Sequence, residues 1–252
     1  MIKALSAIAL LSCAPTLSTA ATAANAASGP FSSDSSTTVY FGNGCFFHQQ
    51  HTLVTLFEKI KLNRAGSSVT SISGYAGGKP PPTENELCYH NELSQSDYGE
   101  LGHAEVVQVS LPDMTDSLRA AAEIYFSDFT ELEPGQWTRR DVFDIGPEYR
   151  SIIGLPGGFD NLDAMSIISS ANKHNLTLLP GTGGDPDTIS SNTVYIMDTF
   201  KFPSFQAEIC LQFHDDSPAY SPPYSKSYHD LQGVLMDAGT LHNTTCPANF
   251  IC

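Results

Sequence analysis

The stretch Val39-Tyr40-Phe41-Gly42-Asn43-Gly44-Cys45-Phe46-Phe47 decides the fold. A short apolar run ends in two glycines and a cysteine, and a helical pattern starts behind it. Phe46, Leu53, Phe57 and Ile60 recur at helical spacings and suit one face of a helix running to about Lys61. Gly42 and Gly44 allow a sharp strand-to-helix turn where a Cβ would strain the backbone. Such a junction puts the Cys45 sulfur at a helix N-terminus, where unpaired N–H groups and the dipole favour thiolate over thiol. It therefore reads as a reactive cysteine. Taken alone, the stretch equally suits a small apolar residue at a tight turn.

Outward from this junction, strands and helices intermix. Val39–Phe41 and Ser67–Ser73 read as strands, and Gly74–Gly78 with Pro80–Pro82 forces a loop. Ala104–Leu111 alternates, with Val107, Val109 and Leu111 on one side. Leu118, Ala121, Ala122, Tyr125, Phe126 and Phe129 form an amphipathic helix stripe. Asp160 suits the cap of a helix carrying Leu162, Met165 and Ile168. A Gly/Asp-rich loop follows over Thr177–Asn192, then a strand over Thr193–Met197. Phe202, Phe205, Ile209 and Phe213 suit a last helix, and beyond His214 prolines interrupt any regular element. The expectation is a single α+β domain over residues 38–213, a mixed sheet flanked by helices, with an irregular tail over 214–252.

The 252 residues are 41% hydrophobic, ample for one core. With 12 Lys+Arg against 27 Asp+Glu the net charge is -15, which excludes the basic face that nucleic-acid binding needs. Met1-Ile2-Lys3, the apolar run to Leu11 and Ala24-Asn25-Ala26 fit a cleaved export or organelle-entry signal over residues 1–27. Residues 28–37 read as a Ser-rich disordered lead-in. Leu10-Leu11-Ser12-Cys13 also allows a lipoprotein anchored at Cys13. Past the signal, no segment approaches the ~20 apolar residues of a membrane span. Asn175 and Asn243 head glycosylation triplets. Removing the signal leaves Cys45, Cys88, Cys210, Cys246 and Cys252, an odd set with at least one unpaired thiol in a monomer.

Five pieces, in this order, resemble the peptide methionine sulfoxide reductase A family. They are Gly44-Cys45-Phe46-Phe47, Gly74-Tyr75-Ala76-Gly77-Gly78, Glu86-Leu87-Cys88, Gly102-His103-Ala104-Glu105-Val106-Val107 and Asp144-Ile145-Gly146-Pro147-Glu148-Tyr149-Arg150-Ser151. Ala207-Glu208 fits more loosely, and the resemblance runs from about Val39 to Phe213. It implies a ferredoxin-like core and thiol-dependent reduction of the S epimer of methionine sulfoxide, free or in proteins, as a repair reaction. It implies no bound cofactor, no metal, and a thiol reductant such as thioredoxin.

The chemistry needs a cysteine nucleophile, a protonated acid, hydroxyl donors to the sulfoxide oxygen and an apolar slot for the S-methyl group. By the resemblance, Cys45 is the nucleophile and Glu86 the acid, kept protonated by burial. Tyr75 and Tyr149 donate to the oxygen, Asp144 holds a water or polar partner, and Phe46 and Phe47 wall the methyl slot. Reaction leaves Cys45 as a sulfenic acid, which a second thiol condenses with. The Pro-rich tail makes Cys246 and Cys252 the expected resolving pair, Cys45 passing its oxidation to Cys246 and then to Cys252 or in the reverse order; a standing Cys246–Cys252 disulfide is the competing reading. Cys88 reads as a packed structural cysteine.

Two departures from the family pattern stand out: Phe47 where Trp is usual, and His48 where Gly is usual. Thirteen residues between Cys88 and Gly102 form an insertion beside the expected site. Two other classes remain in view. One is a Cys–His hydrolase pairing Cys45 with His103 or His229. The other is a redox-inactive, disulfide-stabilised binding domain. His48 with His51 and Cys45, or Cys210 with His214, also have spacings that allow a metal.

Overall fold

A computed structural model describes residues 36–82, 87–90, 96–216 and 222–246. The signal segment, Glu86 and Cys252 lie outside them. Strand β1 (Thr37–Gly42) runs into the quoted turn, and helix α1 (Phe46–Thr52) starts one residue past Cys45. The helix continues over Leu53–Lys61 as a π-helix, closed by a bond from Leu62 N to Phe57 O. Gly44 has φ +81, and a Cβ there would lie 2.7 Å from Asp141 Cβ, so the turn requires glycine.

The remaining strands are β2 (Ile72–Ala76), β3 (Ala104–Leu111), β4 (Phe129–Glu133), β5 (Gln136–Arg139), β6 (Ile152–Leu155), β7 (Thr177–Pro180), β8 (Thr193–Asp198) and β9 (Phe205–Gln206). Seven of them form one mixed sheet in the order β7-β8-β6-β1-β3-β2-β9; β4 and β5 make a separate hairpin. β1 pairs antiparallel with β3 and β6, while β8 runs parallel to β6 and β7.

Alternation along the strands divides the core. Val39, Phe41, Val107, Val109, Ile153, Leu155, Val194 and Ile196 face α1, α2 (Asp116–Ser127) and α3 (Leu162–Ala171), whose buried stripes include Leu118, Ala122, Phe126 and Ile168. Tyr40, Val106, Ile152 and Met197 face the other way. The mixed sheet flanked by helices is the expected α+β class. Among the described residues, no helix is long and apolar enough to cross a membrane.

Several elements differ from the sequence reading. The second strand lies at Ile72–Ala76, through Gly74 and Tyr75, because its backbone pairs with β3 on one side and β9 on the other. Asn161, not Asp160, caps α3 by accepting a bond from Ala164 N. Thr177–Pro180, inside the expected loop, is a strand. Phe202–Phe213 is not a helix: Phe205–Gln206 extends the sheet edge, and Ile209–Leu211 is a single 3-10 turn. The tail is not wholly irregular. Helix α4 (Lys226–Asp237) buries Tyr228, Leu231 and Leu235 against Val54, Val69, Ile72 and Phe213.

Candidate active site

The β1–α1 turn places Cys45 in a cavity of about 290 Å³. Phe46, Phe47, His48, Tyr89, Glu105, Arg140, Asp141, Asp144, Tyr149 and the His214–Asp216 segment complete its lining. Four expected site residues, Phe46, Phe47, Asp144 and Tyr149, therefore join Cys45 in one pocket. The two phenylalanine rings contact each other, with centroids 5.1 Å apart, and Phe47 stacks on His214 at 4.4 Å. These rings form the apolar wall.

Two carboxylates occupy the N–H groups at the helix start. Cys45 N donates to Asp141 Oδ2 at 3.0 Å, and Phe46 N donates to Glu105 Oε2 at 2.9 Å. The expected thiolate-favouring N-terminus is thereby neutralised. Burial pushes the Cys45 thiol well up, and the carboxyl groups of Glu105, Asp144 and Asp216 add to the effect once they ionise, against one favourable N–H from Phe47. The resting cysteine is a thiol, which corrects the expectation of a low-pKa thiolate. Cys45 is also the free cysteine among the described residues.

Two acids in the pocket hold protons. Burial raises Glu105 well above the carboxylate range, outweighing the bonds it accepts from Phe46 N and Tyr98. Half-buried Asp144 is raised to about 7, by desolvation first and then by its neighbour Asp141, with Arg139 opposing. Glu105 had no role in the sequence reading, yet the signal was there: it continues the Val107, Val109, Leu111 face of β3, a carboxylate in a core-facing position.

Tyr149 reaches the pocket and shares a hydroxyl–hydroxyl hydrogen bond with Tyr89, a residue of the insertion that sequence reading missed. Tyr75 does not line the cavity. Its fully buried hydroxyl donates to Glu208 Oε2 at 2.8 Å, and its ring stacks on Tyr98 behind the wall. The expected direct donation from Tyr75 to substrate is replaced by support of Glu208, whose other oxygen accepts from Tyr89 N at 2.8 Å.

His48 Nε2 meets Asp128 Oδ1 at 2.9 Å, and Nδ1 lies 3.6 Å from Asp216 Oδ2. Burial works against its charge, but the two carboxylates outweigh it and raise its pKa to about 9. Arg140 Nη1 approaches Nδ1 at 2.7 Å, a contact that only a neutral imidazole accepts. Protonation of His48 therefore requires Arg140 to turn toward Asp216, 3.8 Å away.

The rival arrangements lack support in this geometry. His103 is spent on Gly78 N and Lys79 O, and His229 on Phe213 O and Asp215; neither lines the Cys45 pocket. Among the described residues, the one group of three possible metal ligands close enough to share an ion is Cys88, Glu208 and Cys246. Cys88 and Cys246 form a disulfide there. This bond corrects the tail reading: Cys246 is joined to Cys88 rather than to Cys252, and Cys210 is disulfide-bonded as well. Glu86 and Cys252 are outside the described residues.

The family model described as "Peptide methionine sulfoxide reductase" matches residues 37–176. Peptide methionine sulfoxide reductase MsrA of Sulfolobus acidocaldarius is 34% identical over 114 residues, 44% of this chain and 52% of that relative. The same-named protein of Natronomonas pharaonis is 35% identical over 117 residues, 46% of this chain and 53% of the relative. The chain thus spans about half the length of the curated relatives it matches. Mxr1 from Saccharomyces cerevisiae in reduced form superposes with a TM-score of 0.44 at 20% identity, covering 75% of this chain and 88% of that one. The matched segment carries Cys45, Phe46, Phe47, Glu105, Asp144 and Tyr149, and the chain belongs to the peptide methionine sulfoxide reductase family.

Proposed function

We propose that this chain reduces the S epimer of methionine sulfoxide, free or in proteins, to methionine, with Cys45 as nucleophile. The observation that carries the reading is a free cysteine in an aromatic-walled cavity beside two proton-holding acids. A sulfoxide is polar, uncharged and a poor electrophile until its oxygen is protonated. Asp144, with Glu105 beside it, supplies that proton as Cys45 Sγ attacks the sulfoxide sulfur. The proton of the Cys45 thiol replaces it on the carboxyl group. The oxygen ends on Cys45 as a sulfenic acid, and methionine leaves. Tyr149 donates to the oxygen, and Phe46 and Phe47 hold the S-methyl group.

The oxidised enzyme is returned by a thiol reductant of the thioredoxin kind, and the protein works as a monomer on oxidised proteins. The start of the chain supports export or organelle entry as its route, with a lipid anchor at Cys13 as the variant form. The test is a coupled assay with S- and R-epimer sulfoxide in a short peptide and dithiothreitol as reductant. Methionine from the S epimer alone, lost in a folded Cys45→Ser protein, is the expected result. Activity retained by Cys45→Ser, or turnover of the R epimer only, refutes the reading.

A further inference from the structure

Turnover as proposed leaves Cys45 as a sulfenic acid, which an internal thiol within reach condenses with. Cys246 is placed for this: its Sγ lies 3.4 Å from Leu87 O, next to the segment that carries Tyr89 into the Cys45 pocket. Its bonded partner Cys88 is only 4% exposed, whereas Cys246 is half-buried. One carboxylate oxygen of Glu208 and the two sulfurs all lie within 4.8 Å of one another. Glu208 is held in place by Tyr75 and by the backbone of Tyr89, so the same short segment supplies a pocket wall, a cysteine and the anchor of a base.

We infer that Cys88 is the second thiol of the recycling relay, in place of Cys252. This rests on the reductase reading and deepens it. In the first exchange the Cys246 thiolate attacks the sulfur of the Cys45 sulfenic acid. A Cys45–Cys246 bond forms, the S–O bond breaks, and hydroxide leaves with a proton as water. In the second, Glu208 takes the proton of Cys88, and the Cys88 thiolate attacks the Cys246 sulfur. The Cys88–Cys246 bond forms, and the Cys45–Cys246 bond breaks with its electron pair on Cys45. Cys45 regains a proton and is ready again. The resulting state, a Cys45 thiol beside a Cys88–Cys246 disulfide, is the one described above. An external dithiol then attacks the half-buried Cys246 sulfur, leaves Cys88 and Cys246 reduced, and departs as its own disulfide.

The experiment counts methionine released by fully reduced enzyme after the reductant has been removed, with excess S-sulfoxide peptide. Wild-type protein is expected to release two methionines per chain. The first turnover closes Cys88–Cys246, and the second leaves Cys45 oxidised. Cys88→Ser is expected to release one, a twofold drop, and to hold a Cys45–Cys246 disulfide in peptide mapping. Two methionines from Cys88→Ser overturn the relay. Should that variant not fold, mapping wild-type enzyme after a single equivalent of sulfoxide decides. Cys88–Cys246 with a free Cys45 supports the assignment; a persisting Cys45–Cys246 or a Cys246–Cys252 bond refutes it. No methionine from wild-type enzyme, even with dithiothreitol, instead removes the reductase reading on which the relay stands.

Discussion

Asp144 is the residue whose protonation is poised to matter. Its carboxyl titrates at about 7 because it is half-buried beside Asp141. It can donate to a sulfoxide oxygen below that pH and not above it, so kcat/KM is expected to fall as pH rises through 7, read from a pH–rate profile. Asp144→Asn is expected to lose about 2–4 powers of ten at pH 6 and to flatten that limb. Stability moves the same way, over a window that opens at lower pH. A carboxyl raised above its ordinary value favours the fold when protonated, and the benefit is lost as pH climbs toward 7. Above pH 7, Asp144→Asn should therefore melt higher than wild type in a thermal scan. At this scale the sequence was informative about identity and weak about protonation. Cys45, Phe46, Phe47, Asp144 and Tyr149 were recognisable from their motifs. The carboxylates that cap the Cys45 helix were not, because Asp141 and Glu105 come from distant strands and loops.

Helix α4 shows how an element escapes a local reading. Tyr228, Leu231 and Leu235 sit at helical spacing, but Pro222 and Pro223 draw the eye toward a broken tail. Those prolines precede the N-cap residue Ser225, where they do not disturb the helix. Conversely, Phe202, Phe205, Ile209 and Phe213 have helical spacing without a helix. Pro203 interrupts the run, and Phe213 is left at φ +54, outside helical geometry. The four side chains are shared among three separate apolar clusters, so their spacing reflects no common face. Since α4 closes one of those clusters, Leu235→Ala should cost about 2–5 kcal/mol, measured by urea unfolding. A change below about 0.5 kcal/mol would mean that α4 docks loosely on the sheet domain.

For the whole molecule, the Cys88–Cys246 bond ties the tail to the insertion across a sequence separation of 158. A loop that long restricts the unfolded chain strongly, so opening the bond should lower stability by about 2–5 kcal/mol. Calorimetry of wild type against the Cys88→Ser, Cys246→Ser double variant, with Cys45 alkylated in both samples, measures this. An unchanged midpoint would show that the bond itself contributes nothing to stability. The mixed sheet and its helices were legible because β1, β3, α2 and α3 carry their own periodicity. The tail's attachment was not, because cysteine pairing depends on which distant segments the sheet brings together.

The proton on Cys45 has a consequence for survival. Sulfoxides arise where peroxide and hypohalous acid are present, and those oxidants attack thiolates far faster than thiols. A cysteine ringed by carboxylates and pushed well up in pKa offers them little to react with until a substrate fills the cavity. A reductase of the proposed kind is thus shielded from the oxidants that create its substrate, at some cost in intrinsic nucleophilicity. Exposure of substrate-free protein to dilute hydrogen peroxide at pH 7, followed by thiol counting, should leave Cys45 largely intact, with loss accelerating as the pH is raised.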